Sequence, residues 1–254
     1  MHRRLSLYAL SSLLVLLAAC GGTDTIAPPQ PEYFTATGDF WNFVVLDGSL
    51  DTRITVHQGE QFMPADQVLP GGGATARNLT LTAESQNVSL GFFLSYTDST
   101  VQNPGETYPT AEGRHHVYVA MGRPWTTNAA VAPTIVQMDP VAEPDAGHVA
   151  VRFVHALAGA PGAVDVHVNG QTFSGLAFGQ ETGTITFPTR GAGQDSLYVM
   201  PAGAAPDPDT ALWKNLGGSL FANGARYDCF LGHLPQDLYN GDAGGAIRLY
   251  QHSY

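Results

Sequence analysis

Residues 164–170 read VDVHVNG, and their alternation is the clearest indication of the fold class in the sequence. Its three valines alternate with Asp165 and His167, which places the valines on one face of a strand and the polar side chains on the other. Asn169 and Gly170 follow at once, and this pair suits the positive φ angles of a tight hairpin turn. The segment therefore predicts a half-buried β-strand that leads into a hairpin.

Similar runs recur along most of the chain. Short β-branched and aromatic stretches, bounded by Gly, Pro, Asn or Asp, follow one another from residue 40 to residue 251. Only residues 209–216 have the spacing of a short helical turn. The chain has 29 Gly, 17 Pro and only 13% charged residues, unlike the Glu- and Lys-rich composition of helical proteins. We therefore predict an all-β fold.

Several of these runs are repeated at a spacing of about 111 residues. RITVHQG at 53–59 is echoed by 164–170, and PTIVQM at 133–138 is echoed by AIRLYQ at 246–251. This predicts two tandem antiparallel β-sandwich domains of the immunoglobulin or transthyretin type, joined near residues 139–147. We expect these domains at residues 32–140 and 147–254. A single large β-sandwich with similar strands is the alternative.

The second copy carries a resemblance to a known family. Residues 151–170 read VRFVHALAGAPGAVDVHVNG, and the region from about 148 to 235 resembles a bacterial cell-envelope domain of unknown function. The first copy matches less well, because Val45 and Leu46 stand where the family has His-Ala, and ITV at 54–56 stands where it has Val-Asp-Val. The resemblance implies an extracytoplasmic β-sandwich, often in tandem, with no established catalytic activity.

The N-terminus is typical of an exported lipoprotein. A basic head and an apolar run at residues 5–19 match a signal peptide that is too short to span a bilayer. Residues 17–20, LAAC, resemble the lipobox of bacterial lipoproteins, in which the cysteine is acylated with chains such as palmitate. We expect cleavage after residue 19, lipid on Cys20 and a tether over residues 20–31. Gly21 favours the outer membrane, with the protein facing the periplasm or the cell surface.

The charge of the mature chain argues against nucleic acid as a partner. Removing Arg3 and Arg4 from the 11 Lys and Arg leaves 9 against 22 Asp and Glu, a net charge of −13. Lys214 is the single lysine in the sequence. Binding to phosphate backbones depends on clustered Lys and Arg, which this chain lacks.

Three residues of the second copy are the best candidates for chemistry. His155, Asp165 and His167 carry imidazole and carboxylate groups, which bind metals and transfer protons. They support an alternative hypothesis of a metal-dependent hydrolase. The structural interpretation is that the His155 ring bonds to the backbone of the following loop and that Asp165 pairs with Arg152.

Other chemistry-bearing residues have simpler structural explanations. His115 and His116 are adjacent on one predicted strand and point to opposite faces. Cys229 lies in an apolar run and is expected to be a buried strand residue. The remaining candidates are turns with carboxylate and carbonyl oxygens, at 207–209 and 240–242, and three tryptophans that fill cores or, if exposed, stack on sugars: Trp41, Trp125 and Trp213.

These features predict a lipid-anchored, non-enzymatic protein of the cell envelope. We expect it to bind an envelope protein or a glycan, or to act as a structural or adhesion module, through the loops at the ends of the sandwiches. Catalytic residues, cofactors and metals are not expected. The membrane is a partner through the lipid on Cys20.

Overall fold

The protein is all-β, as the strand pattern predicts. A computed structural model describes residues 33–44, 54–58, 61–62, 76–84, 86–94, 105–124, 127–158, 162–233 and 247–254. These residues form sixteen strands and one short 3-10 helix at Ala129–Val131. No helix in these ranges has the length and apolar character needed to cross a bilayer. Residues Tyr33–Tyr254 form one compact unit.

The first eight strands fall into two groups that face each other across a core. They are β1 (Tyr33–Val44), β2 (Ile54–Gln58), β3 (Gln61–Phe62), β4 (Ala76–Glu84), β5 (Asn87–Leu94), β6 (Glu106–Pro109), β7 (His115–Gly122) and β8 (Thr134–Met138). Their hydrogen-bonded order is β3-β2-β5-β6 in one layer and β4-β1-β7-β8 in the next. In the described residues the register of β4 with β5 comprises the single pair Glu84 and Asn87, which joins both groups into one eight-stranded sheet.

The next eight strands repeat this order of pairing. They are β9 (His148–His155), β10 (Val164–Val168), β11 (Gln171–Leu176), β12 (Ile185–Pro188), β13 (Asp195–Pro201), β14 (Trp213–Gly218), β15 (Arg226–His233) and β16 (Ile247–Ser253). They form two four-stranded sheets, β12-β9-β15-β16 and β11-β10-β13-β14. Each strand of the second half occupies the same place in the pairing order as the strand of the first half whose number is eight lower.

The repetition includes the direction of the strands. β1 pairs antiparallel with β4 and parallel with β7, and β9 pairs antiparallel with β12 and parallel with β15. β8 pairs antiparallel with β7, and β16 pairs antiparallel with β15. A parallel pair inside an otherwise antiparallel sheet is an unusual detail, and it occurs once in each half among the described strands.

Three apolar clusters separate the four layers. The first cluster includes Phe40, Phe92 and Tyr118 and fills the first half, while another, which includes Phe153 and Val166, fills the second half. A third cluster lies between β1 and β7 of the first half and β9 and β15 of the second. Its members come from both halves: Trp41, Phe43, Val117, Val119, Met121, Met138, Val154, Ala156 and Phe230.

The two inner layers approach closely at a glycine. A Cβ atom added to Gly232 on β15 would lie 2.6 Å from Cδ1 of Phe43 on β1, well inside van der Waals contact. The Phe43 ring also packs against Phe230, with ring centroids 5.4 Å apart. The absence of a side chain at residue 232 therefore makes room for an aromatic ring of the opposite layer.

The segment between the halves is bonded to the second half. Arg152 Nη2 donates to the backbone carbonyl of Asp139 at 2.9 Å, and Arg226 Nη1 donates to that of Val141 at 3.3 Å. Val141 is itself buried, with 1% of its surface exposed. The Pro- and acid-rich stretch that the sequence marks as a connection is therefore fixed by side chains of β9 and β15.

Candidate functional site

His155 has the structural role that its sequence context predicts. It ends β9, is fully buried, and its Nε2 lies 2.8 Å from the carbonyl oxygen of Gly162 in the following loop. Its Nδ1 accepts a longer hydrogen bond of 3.4 Å from the backbone N–H of Leu157. Burial lowers the pKa of this imidazole below its ordinary value, so the ring is neutral at pH 7. Both ring nitrogens are used to hold the loop.

Asp165 is also bonded to backbone, but the predicted pair with Arg152 is wrong. Asp165 accepts hydrogen bonds from the N–H groups of Gly175 at 2.7 Å and Gly203 at 2.9 Å. Arg152 instead bonds through Nε to Asp228 Oδ1 at 2.7 Å. The reason is the layering: Asp165 projects from the face of β10 opposite the second-half core, whereas Arg152 projects from β9 toward the first half.

His167 shares a strand face with Asp165 but has its own contacts. Its Nδ1 lies 2.8 Å from the hydroxyl of Thr172, and its ring stacks on Tyr198 with centroids 4.5 Å apart. His155 belongs to a different sheet from both. In the ranges that the structure describes, no three His, Cys, Asp or Glu side chains are arranged to hold a metal ion.

A buried ionic network surrounds Arg152. Its Nε lies 3.1 Å from Glu181 Oε2 as well as 2.7 Å from Asp228. Tyr254, the last residue, donates its hydroxyl to the second oxygen of Asp228. Burial lowers the pKa of the guanidinium, but the hydrogen bond and charge of Asp228, together with Glu181 and Tyr254, outweigh burial and the net shift of the pKa is upward. Every charge in this network has a partner, so we assign it to stability.

The smaller candidates lie where the sequence places them. Cys229 is fully buried in β15, and burial raises the pKa of its thiol, which keeps it protonated. Trp41 is in the inner cluster and 3% exposed, and Trp213 packs on the second-half core. Asp207 accepts from the backbone N–H of Asp209 at 2.9 Å, as in a turn. The lipidation residue Cys20, with residues 1–32, Trp125 and the turn at 240–242, lies outside the described residues.

An open polar cleft at the end of the first half is the best candidate site. It has a volume of about 300 Å³ and lies where β6 ends, β7 begins and β8 ends. β7 and β8 are antiparallel, with Val117 opposite Met138, so the start of one and the end of the other are adjacent. The lining residues are Pro109, Thr110, Ala111, Arg114, His116, Gln137 and Asp139.

The walls of the cleft are fixed by hydrogen bonds. Gln137 Nε2 donates to the carbonyl of Pro109 at 2.8 Å and lies 3.3 Å from the hydroxyl of Tyr118. Burial raises the pKa of Tyr118 to about 12, so this hydroxyl stays protonated. The turn between β6 and β7 closes through the N–H of Arg114 and the carbonyl of Ala111 at 3.1 Å.

His116 is the buried polar residue of the cleft. Its Nε2 lies 3.0 Å from the hydroxyl oxygen of Thr110, and its Nδ1 lies 3.0 Å from Asp139 Oδ1. The second contact lacks hydrogen-bond geometry, which leaves the buried Nδ1 without an aligned partner in the described part of the chain. Burial lowers the pKa of His116, although Asp139 acts in the opposite direction, so the ring is neutral at pH 7.

Two exposed charges of opposite sign form the rim. Arg114 Nη2 lies 3.3 Å from Asp139 Oδ1, and the two side chains are 56% and 62% exposed. A guanidinium has five N–H donors and a carboxylate about four acceptor positions, so this contact leaves most of both groups available. The cleft thus presents hydrogen-bond donors and acceptors side by side with no net charge.

Sequence reasoning did not find this cleft. The predicted strand alternation only separates His116 from His115, and Asp139 falls in the predicted connection between the domains, so neither residue is marked as part of a site. The residues come from three strands, β6, β7 and β8, and from the segments that follow β6 and β8, they are separated by up to 30 positions, and no motif links them. The alternation of β7 does predict that His116 faces away from His115, which instead lies 2.9 Å from Thr37.

Comparison with known proteins adds no family to this description. The chain matches no protein-family model and no curated protein. The resemblance of residues 148–235 to a cell-envelope domain stays a prediction from its motif.

Proposed function

We propose that the protein is a lipid-anchored, non-enzymatic binding module of the bacterial cell envelope. In this proposal acyl chains on Cys20 hold it to the outer membrane, and residues 20–31 separate the folded unit from the lipid surface. The folded unit then presents the cleft of His116, Arg114 and Asp139 to an envelope component. The observation that supports binding most directly is this open polar cleft, built on strand ends around a buried imidazole.

We further propose that the two halves arose by tandem duplication of one β-sandwich unit of the immunoglobulin or transthyretin type. The repeated pairing order and the repeated parallel strand pair support this origin. The sequence echoes fall at corresponding strands, since β2 corresponds to β10 and β8 to β16. The two units stack through β1, β7, β9 and β15, which share one apolar cluster.

The anchor is tested in a bacterium with two membranes. The full-length protein and a Cys20→Ser variant are expressed with the native leader and grown with radiolabelled palmitate. We expect label and outer-membrane fractionation for the native chain, with residues 1–19 absent from the mature protein, and no label for the variant. An unmodified Cys20 still joined to Ala19 would contradict the proposed anchor.

Binding is tested with isolated envelopes. We expect the acylated protein, purified in detergent micelles, to sediment with envelope fragments stripped of their own lipoproteins. The double variant Arg114→Met with Asp139→Ala is expected to sediment at least tenfold less, because it removes both exposed polar groups of the cleft. Equal sedimentation of both proteins would exclude the cleft as the binding surface.

The hydrolase hypothesis based on His155, Asp165 and His167 stays a prediction. Metal analysis of the purified protein, with His155→Gln and His167→Gln variants, tests it. It predicts a bound ion that is lost from both variants while the β-sheet circular dichroism spectrum is retained.

A further inference from the structure

We infer that the cleft binds a neutral, polyhydroxylated ligand, such as a sugar residue of an envelope glycan. This inference rests on the proposed function of the protein as a binding module and specifies the chemical class of its ligand. It is carried by three properties of the cleft: its charge balance, its mixture of donors and acceptors, and the buried nitrogen of His116.

The charge balance favours a ligand without net charge. Arg114 and Asp139 lie 3.3 Å apart at the rim, and the neutral ring of His116 adds no charge behind them. An anion would be attracted by Arg114 but repelled by Asp139 and by the net charge of −13 of the mature chain. A cation would be attracted by Asp139 and by that net charge, but it would meet the repulsion of Arg114 at the same rim. A neutral ligand meets neither and contacts both groups through hydrogen bonds.

The arrangement of donors and acceptors matches hydroxyl groups. Each hydroxyl both donates and accepts, so adjacent hydroxyls of a sugar can accept from Arg114 while they donate to Asp139. Such bonds to charged groups are stronger than bonds between neutral groups. The side-chain oxygen of Gln137 adds a neutral acceptor, since its amide nitrogen is occupied by Pro109 and Tyr118.

The buried Nδ1 of His116 specifies the same chemistry. The residue is only 5% exposed, and Asp139 Oδ1 covers this nitrogen at 3.0 Å without full hydrogen-bond alignment. The Asp139 side chain is 62% exposed, so a ligand hydroxyl reaches the nitrogen when this carboxylate turns aside, and it then supplies an aligned hydrogen bond. A hydroxyl can do so in either tautomer of the ring, because it accepts from N–H and donates to a bare nitrogen.

The size and the apolar side of the cleft fit one or two sugar rings. Its volume of about 300 Å³ is at the lower end of the range for small-molecule sites. Pro109 and Ala111 line the side formed by the β6–β7 turn. The C–H groups of a pyranose ring can pack there while its hydroxyls face Arg114 and Asp139.

The experiment uses the full-length acylated protein in detergent micelles. An array of displayed oligosaccharides with neutral terminal hexoses or N-acetylhexosamines is compared with the same series ending in uronic acids. We expect binding to neutral termini that changes less than twofold between 0.05 and 0.5 M NaCl, because no charged ligand is screened. We expect Arg114→Met and Asp139→Ala each to weaken it at least tenfold. Two exposed residues of the second half serve as controls, and we expect Arg190→Met and Asp209→Ala to bind within twofold of the native protein.

Three results would overturn the inference. They are preference for uronic acids with strong salt dependence, glycan binding that survives both cleft variants, and no glycan binding by a protein that still sediments with envelopes. The last result leaves the proposed function standing and shows that its ligand is not a sugar. If the protein binds neither the array nor envelopes, both the proposed binding function and the inferred sugar ligand are wrong.

Discussion

Arg152 is a buried charged residue whose substitution we expect to lower the stability of the protein strongly. It is 6% exposed and pairs with Asp228, which is fully buried. Arg152→Met would leave that carboxylate in the interior without its cation, so we expect the free energy of unfolding to fall by about 3–5 kcal/mol. Urea denaturation measures this change.

A second arginine provides the matched control. Arg114→Met removes an exposed pair with Asp139, and we expect it to lower stability by at most about 1 kcal/mol. The double variant Arg152→Met with Asp228→Leu should recover much of the loss, because the carboxylate that remains without a cation, Glu181, is 41% exposed and reaches water. A loss for Arg152→Met no larger than for Arg114→Met would contradict the assigned role.

His155 makes stability depend on pH in a defined direction. Its pKa is lowered in the folded protein, whereas the unfolded chain binds a proton near the ordinary value of about 6.5. Stability from this residue is therefore fully present above that value and is lost as the pH falls through it. We expect the melting temperature to drop less between about pH 7.5 and about pH 5 in His155→Gln than in the native protein. His148→Gln, which alters a half-buried histidine of the same strand, should follow the native protein. Equal drops in all three would contradict this.

At the level of single residues, the sequence predicted local roles better than distant partners. The role of His155 followed from its position between a strand and a Gly- and Pro-containing loop, which are local features. The partner of Asp165 was wrong because it depends on which face of which sheet each side chain occupies. The cleft could not be predicted for the same reason, because His116 and Asp139 come together only through the pairing of β7 with β8.

At the level of strands, Gly232 controls how closely the two inner layers pack. We expect Gly232→Ala to destabilise the protein by about 1–3 kcal/mol, since the new methyl group would overlap the ring of Phe43. Gly162→Ala is the control, because a Cβ there meets no atom of the described residues within 4 Å. A double-mutant cycle with Phe43→Ala, followed by thermal melting, isolates the contact, and additive effects would show that the clash is absent.

The strands themselves were predictable, but their layering was not. β10 alternates because one face packs on the second-half core, and its sequence shows this directly. β7 and β9 are buried on both faces, so their sequences are apolar without a clean alternation. A run of this kind indicates a covered strand but does not say what covers it, which here is the other half of the molecule.

At the level of the whole molecule, the shared inner cluster couples the halves. Trp41 packs within 4.9 Å of Phe230 of the second half, whereas Trp213 lies on the second-half core. Unfolding one half would expose the apolar face of the other, so we expect one cooperative transition. Variants that retain only Trp41 or only Trp213, with the other tryptophans changed to Phe, should show coincident fluorescence midpoints in urea. Fluorescence midpoints that differ from each other and from the midpoint measured by circular dichroism would show that the halves unfold separately.

The parallel pairing of β1 with β7 has a mechanical consequence for a tethered protein. In the proposed anchored state, tension on the tether would enter the folded unit at Tyr33 and run along β1, whose residues Thr37–Val44 are paired with His115–Gly122. When β7 resists this pull, the force acts along the strands and loads the hydrogen bonds between β1 and β7 at the same time. These bonds are therefore not broken one after another. A pulling force on the proposed tether would therefore be opposed by the whole β1–β7 ladder together.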